Sequence, residues 1–591
     1  MKTFMLSMAG ALAAMVLFII AIFLFMMVLI GSAISSATPD NPDNVVLSIN
    51  LNTEFMDQPP TSGLAMLGDS TGFIDIITRL KAAEQDDTVK GLFLRGATMG
   101  VGSSRAEELR EAILEFKESG KFVIAHTQGT ISISGPSALR SITSADELWI
   151  QPGTELFTTG VTFETQFLKG LFDKVDVQAE IFPFYEYKNS PNSYNETEYT
   201  APHREALTKL AESIWNASLD EMAADRGISV TDLRTALESG PKTAEQAIDL
   251  KIADKTGWPE EAEEAALERA GDKAEFMDIA AYIPPSVTYK APTIAVIGGE
   301  GGVVTGGSEG GSPFSSAPGF ASDTIARAIL DAGENKKVKA IVFRVDSPGG
   351  SPTASDQIWR AVERVQDGGT PVIVSMGSVA ASGGYYVSAG ADYIMASRST
   401  ITGSIGIFGG KFALEGAFNK LGVTFDRISV GGEFADAYGV DAFTESQKAE
   451  IMSWLKRGYD RFVGIVAEGR EMSYDEVHAV ARGHVWSGED ALERGLVDEI
   501  GGFMDAIEKA KELGGIEADS KYRLLYYPHR KSGFEALESL FGVSAETAKA
   551  VSTISAVLGD TRTQALIEDL GVMEAVRSGE MQARVPYMIE R

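Results

Sequence analysis

Short runs dense in β-branched and other apolar residues, such as KAIVFRVD (Lys339–Asp346) and TPVIVSMG (Thr370–Gly377), alternate with longer stretches such as RAEELREAILEF (Arg105–Phe116) and ASDQIWRAVERV (Ala354–Val365). The first kind reads as buried strands. The second places apolar residues three or four apart, which gives a helix one apolar face. Strands and helices in alternation predict parallel strands joined by crossover helices, and so an α/β fold. Ser-Pro and Gly-Gly punctuation, as in DSPGGSP (Asp346–Pro352), marks strand-to-helix turns, where such folds place their chemistry. GGEGGVVTGGSEGGSPFSSAPG (Gly298–Gly319) reads as a low-complexity loop; a phosphate cradle is disfavoured there because no Gly-Lys-Ser/Thr closes it.

One segment follows neither pattern. After Lys2 no charge appears until Asp40, and Met5–Ile34 is dominated by Leu, Ile, Met, Phe, Val and Ala. About 20 apolar residues suffice to cross a bilayer, and a cleaved signal peptide has a shorter apolar region. Residues 1–38 are therefore expected to be an uncleaved N-terminal transmembrane helix. Lys2 before the span keeps the amino terminus in the cytoplasm and sends the remainder across. In a bacterial cell this is a single-pass anchor in the inner membrane, with the folded part on the periplasmic side.

The chain also repeats itself. VKGLFLR (Val89–Arg95) parallels VKAIVFR (Val338–Arg344), AADRGIS (Ala223–Ser229) parallels AEGREMS (Ala467–Ser473), and TAEQAIDLKIADKTG (Thr243–Gly257) parallels SGEDALERGLVDEIG (Ser487–Gly501) without a gap. The last two pairs share one offset, the mark of an internal duplication. The expected organisation is a first α/β domain over 45–285, a linker over 286–292 within YIPPSVTYKAP, a second domain over 293–512, and a helical extension over 513–591.

At 591 residues more than one core is expected. Lysine and arginine number 52 against 83 aspartates and glutamates, a net charge of −31, which argues against nucleic acid as a partner. The absence of cysteine excludes a thiol nucleophile, disulfides and thiolate metal sites. No cluster of His, Asp and Glu has metal-ligand spacing, and no cofactor is implied.

The candidate chemistry centres on VSMGSVAASGGYYVSAGADYI (Val374–Ile394), where Ser382 stands among alanines and glycines. Small residues here suit a helix passing close to another backbone. They equally suit a nucleophile at a helix start, with open approach to its oxygen and free N–H groups for an oxyanion. Of the five histidines, His126, His203, His478, His484 and His529, none lies in a triad-like context, and G-x-S-x-G is absent around Ser382. A lysine base is the remaining conventional option.

DSPGGS, SMGSVAASGGYY, STITGSIGIFG (Ser399–Gly409) and GHVWSGEDALERGLVDEIGG (Gly483–Gly502), in this order and spacing, resemble the signal peptide peptidase A family in its long form. The resemblance implies two tandem domains of the Clp protease/crotonase-like superfamily and a serine protease with a Ser-Lys dyad. Carried across by motif, Ser382 in AASGGY is the nucleophile. Lys188 in FYEYKNSPNS is the base, although the polar run Asn189–Thr200 departs from the family pattern and leaves Lys169 and Lys174 as fallbacks. Ser404 in TGSIG resembles the serine that orients the lysine. Gly383 and Gly350 would supply the oxyanion N–H groups. Cleaved signal peptides and other hydrophobic peptides are the implied substrates, and a ring-like homo-oligomer, with a tetramer as the expected number, the implied assembly. Val379, Tyr385 and Tyr386 are candidates for a substrate pocket or for plain core.

The repeat bears on this split site independently. Lys188 falls opposite Gly432, and the stretch opposite Ser382 reads GTISISGPSALRS, so each copy holds half of the dyad. Two other readings compete: a crotonase-like acyl-CoA enzyme, which would share the oxyanion glycines, and a non-catalytic membrane scaffold, which would need neither Ser382 nor Lys188.

Overall fold

The computed structural model describes residues 41–53, 55–59, 71–96, 98–131, 135–307 and 319–528, together with the backbone of 583–584 and 589–590. The expected transmembrane helix and most of the C-terminal extension lie outside the described residues. Among the described residues no helix is long and apolar enough to cross a membrane.

Two sheets carry the molecule, one per repeat. The first runs in the order Glu275–Asp278, Val45–Asn50, Val89–Arg95, Phe122–Thr127, Glu147–Ile150, Lys255–Thr256, every neighbour parallel. The second repeats this order with Arg523–Tyr527, Thr293–Glu300, Val338–Ser347, Val372–Ala381, Tyr393–Ala396 and Glu499–Ile500, again parallel. Beyond the end of Val372–Ala381 a second branch adds Ile401–Gly403 and the antiparallel Val485–Ser487. Ile341, Val342 and Phe343 are consecutive and all fully buried, as expected of a parallel sheet covered on both faces.

The second repeat extends further than its sequence pattern indicates. Arg523–Tyr527 occupies the position that Glu275–Asp278 holds in the first, so the second sheet continues to Tyr527, past the expected boundary at 512, and this part of the extension is strand rather than helix. RLLYY shares no residue identity with EFMD, which hid the correspondence; the alternative, an uncovered edge on Thr293–Glu300, would leave its backbone unpaired.

Many contacts lock the repeats together, among them a strand pairing and two buried arginines. Gln178–Pro183 of the first forms an antiparallel ladder with Phe408–Ala413 of the second. Arg344, on a central strand of the second sheet, reaches into the first repeat, with Nε 2.7 Å from Asp57 Oδ2 and Nη2 2.7 Å from Glu108 Oε1. Arg140 of the first repeat binds Glu107 and Glu221 at 2.9 and 2.6 Å and Ser399 Oγ of the second at 2.6 Å. Burial alone would push the Asp57 carboxyl up; the guanidiniums of Arg344 and Arg105 outweigh it and hold the group down to about 2. Removing one partner from such a buried set costs about 3–5 kcal/mol, because the other charge is left unpaired.

Candidate active site

Ser382 ends the ten-residue strand Val372–Ala381 and caps the short helix Gly383–Ser388. It holds φ 55° and ψ −114°, a conformation non-glycine residues rarely adopt and one that costs on the order of 1–3 kcal/mol. The surroundings enforce it: Ser382 N–H donates to the Gly403 carbonyl at 2.8 Å, and the Ser382 carbonyl accepts from Tyr386 N at 2.8 Å. The small neighbours are required by close approach. A methyl on Gly383 would lie 2.8 Å from Ser355 Oγ and 2.9 Å from the Gly350 nitrogen, and one on Gly384 would lie 2.6 Å from the Ser347 carbonyl. The turn is tightly packed, as the first reading of the sequence expects, and it brings the Gly383 and Gly350 backbones side by side.

Lys188 arrives from the other repeat. The ladder Gln178–Pro183 delivers the chain to a turn in which Tyr185 adopts φ 75° and Lys188 N–H donates to the Tyr185 carbonyl at 3.4 Å. A facing turn, Arg482–Gly483, closes on it, with Tyr187 N–H donating to the Arg482 carbonyl at 3.2 Å. Lys188 is buried, with Nζ 2.6 Å from Ser382 Oγ, 3.0 Å from the Ser404 carbonyl and 3.0 Å from Ser404 Oγ. Burial pushes its pKa well below the ordinary lysine value of 10.5. A neutral amine has two N–H donors and one lone pair, which matches two acceptors on Ser404 and one hydroxyl donor on Ser382.

Ser404 is itself held at φ 50°, with its N–H donating to the His484 carbonyl at 2.7 Å. Lys169 is on the surface, paired with Asp173 at 2.8 Å, and Lys174 is exposed, so neither fallback lysine approaches Ser382. Gly432, opposite Lys188 in the repeat, is exposed with open space about it. The His478 ring meets Tyr459 Oη through Nδ1 at 2.8 Å and the His484 ring stacks on Trp486, while His529 lies outside the described residues. Tyr385 and Tyr386 are core; their hydroxyls donate to the Leu496 carbonyl at 2.8 Å and to Asp356 at 2.7 Å. Val379 is half-buried in an apolar cluster with Ala381, Val485, Leu210 and Phe163, flanking the serine.

Sequence reasoning missed Gly483, although its motif was in view. A Cβ there would lie 2.4 Å from the Lys188 nitrogen. It also missed Gly406, whose added methyl would approach Lys188 Cδ at 3.2 Å. Their positions in GHVWSG and GSIG, beside recognised motif residues, were the available signal.

A buried serine thus lies against a buried lysine of lowered pKa, an arrangement able to support acyl transfer. The model of peptidase family S49 matches residues 115–273 and 364–517, the first stretch containing Lys188 and the second Ser382. The chain is 30% identical to Protease 4 of Salmonella typhi over 86% of its length and 85% of that protein's. It is also 30% identical to the chloroplastic serine protease SPPA of Arabidopsis thaliana over 90% of this chain and 77% of that one. Protease 4 of Haemophilus influenzae is 31% identical over 86% and 82% of the two chains. The chain therefore belongs to peptidase family S49 and is a serine protease of the signal peptide peptidase A type.

Proposed function

We propose that Ser382 and Lys188 form the catalytic dyad of an endopeptidase that degrades hydrophobic peptides, cleaved signal peptides among them. The observation that carries this reading is the 2.6 Å approach of a buried lysine to Ser382 Oγ. In the first step the neutral Nζ takes the hydroxyl proton as Oγ attacks the peptide carbonyl. The Gly383 and Gly350 N–H groups receive the oxyanion; one such donor is worth roughly 3 kcal/mol in the transition state. Collapse breaks the C–N bond, and the proton on Lys188 goes to the leaving amine. Water then attacks the acyl-serine with Lys188 again as base; collapse breaks the ester C–Oγ bond, the acid leaves, and Lys188 returns the proton to Ser382 Oγ, with Ser404 keeping the amine in line throughout.

The edge beside the serine suits an extended peptide. Gly349–Gly350 already pairs antiparallel with the backbone of Ala583–Arg584, and strand addition of this kind binds a substrate through its main chain. The apolar cluster around Val379 and Phe163 offers a wall for hydrophobic side chains. The apolar run Met5–Ile34 would hold the enzyme in the bacterial inner membrane, with its sheets on the periplasmic side, where released signal peptides are met.

The test is hydrolysis of a fluorogenic apolar peptide, together with labelling by a fluorophosphonate, for the wild type, Ser382→Ala and Lys188→Met. The proposal expects Ser382→Ala to lose both turnover and label, and Lys188→Met to lose turnover and label slowly. Full labelling and turnover in folded Ser382→Ala would overturn it.

A further inference from the structure

We propose that His484 is a positioning residue for the Ser382–Lys188 dyad: its ring fixes the turn that carries Lys188, and its carbonyl fixes Ser404, the serine that orients the lysine. The proposal rests on the protease reading of this site and adds a residue that reading does not use.

His484 lies at the centre of a stacked column that crosses from one repeat to the other. Its ring is nearly parallel to that of Trp486, with centroids 3.7 Å apart and planes 9° apart. On its other side stands Tyr187, at 4.4 Å and 40°. Arg494 closes the column over Trp486 at 3.8 Å, and Arg482 closes it over Tyr187 at 5.4 Å. Tyr187 comes from the first repeat and the other four residues from the second. Rings and guanidiniums stacked in this way attract one another through the ring quadrupole. The column thereby clips the residue before Lys188 onto the second repeat.

The His484 ring is oriented from within its own loop. Its Nδ1 lies 2.7 Å from the Val485 carbonyl, and because a carbonyl only accepts, Nδ1 donates. Burial pushes the pKa of the ring below the ordinary 6.5, which keeps it neutral at pH 7. The main chain of the same residue performs the second task. The His484 carbonyl accepts from Ser404 N–H at 2.7 Å, and Ser404 presents two oxygens to Lys188 Nζ, each at 3.0 Å. Trp486 supports the nucleophile as well. A methyl on Gly403 would lie 2.8 Å from Trp486 Cδ1, and the Gly403 carbonyl accepts from Ser382 N–H at 2.8 Å. The base, its orienting serine and the nucleophile are thus all held from His484 and its column.

The duplication supplies an internal control. By the offset that sets Lys188 opposite Gly432, His484 and Trp486 fall opposite Gly240 and Lys242, and Tyr187 falls opposite Gly431. The strand itself persists in both copies: Lys242–Thr243 pairs antiparallel with Glu155–Leu156, as Val485–Ser487 does with Ile401–Gly403. The fold therefore forms this strand without rings at these positions. The rings stand where the strand faces the dyad.

The test is kcat and KM on an apolar fluorogenic peptide for the full chain in mild detergent, each variant checked for folding by circular dichroism. His484→Ala removes two stacking contacts and should lose about tenfold in kcat with KM unchanged. His484→Phe keeps a flat ring and should recover most of that loss. Tyr187→Ala should also be slow, and the double variant Tyr187→Ala/His484→Ala should be no slower than the slower single one, because both remove the same stack. Should His484→Ala not fold, His484→Leu, of similar bulk without a flat ring, takes its place with the same expectation. Wild-type kcat in the folded His484→Ala or His484→Leu chain, a phenylalanine variant as slow as the alanine one, losses that multiply in the double variant, or a loss confined to KM would each overturn the proposal. A wild type without turnover, or full turnover in folded Ser382→Ala, would instead remove the protease reading and this proposal with it.

Discussion

Replacing Gly483 by alanine tests whether the backbone around Lys188 sets the reaction. The added methyl would lie 2.4 Å from the Lys188 nitrogen, 2.5 Å from its Cα and 2.6 Å from its Cβ. Carbon atoms rest about 3.5–4.0 Å apart, so relief requires the lysine turn to move by about 1 Å. Such a shift, carried to Nζ, takes its 2.6 Å contact with Ser382 Oγ out of hydrogen-bond range. A misplacement of about 1 Å costs on the order of 10²-fold in rate, or about 2.7 kcal/mol of transition-state stabilisation. Gly483 also has φ +87°, so alanine carries a conformational penalty of about 1–2 kcal/mol that has nothing to do with the dyad. Gly120 separates the two effects, since its φ is +85° and nothing lies within 4 Å of an added Cβ. Gly120→Ala should lose comparable stability and keep its rate. The assay is kcat and KM on an apolar fluorogenic peptide, with thermal unfolding followed by circular dichroism. Gly483→Ala is expected to lose about 100-fold in kcat with KM little changed. Equal kcat in Gly483→Ala and wild type, both folded, would refute the idea that this contact holds the base.

The lowered pKa of Lys188 makes unfolding take up a proton below the ordinary lysine range, so wild type should gain stability relative to Lys188→Met as pH rises toward 10.5. Melting temperatures of the two between about pH 6 and 10 check this, and a gap moving the other way would contradict a neutral buried amine. Ser404→Ala removes one of two acceptors on Ser404 for the lysine; kcat should fall about tenfold, from roughly 1.5 kcal/mol for a hydrogen bond to a group that becomes charged, with KM unchanged in steady-state kinetics. Arg344→Met leaves Asp57 and Glu108 buried without their cation. Denaturant unfolding should show a loss of about 3–5 kcal/mol, and a loss under about 1 kcal/mol would mean that the repeats hold together without it.

The sequence carried what depends on local pattern. Strand and helix periods predicted the α/β fold, because a run such as KAIVFRVD must be covered on both faces wherever it lies in the chain. The duplication was legible because both copies still need the same turns and helix starts. Ser382 and Lys188 were singled out by the resemblance of AASGGY and FYEYKNSPNS to family motifs, since the small neighbours of Ser382 suited a close backbone crossing equally well, and the structure brings the two side chains to 2.6 Å. Tertiary structure decided the rest. The lysine's lowered pKa comes from burial between two repeats, and its aim from Gly483 and Ser404, which are 295 and 216 positions further along. Tyr385 and Tyr386, sequence neighbours of the serine, turned out to be core, since a helix directs successive side chains away from one another. Arg344 in VKAIVFR looks like its counterpart Arg95, yet one is buried against Asp57 and Glu108 while the other lies partly exposed near Glu263. Period and composition specify which surface a residue must hide; which distant residue it hides against is settled only when the repeats pack.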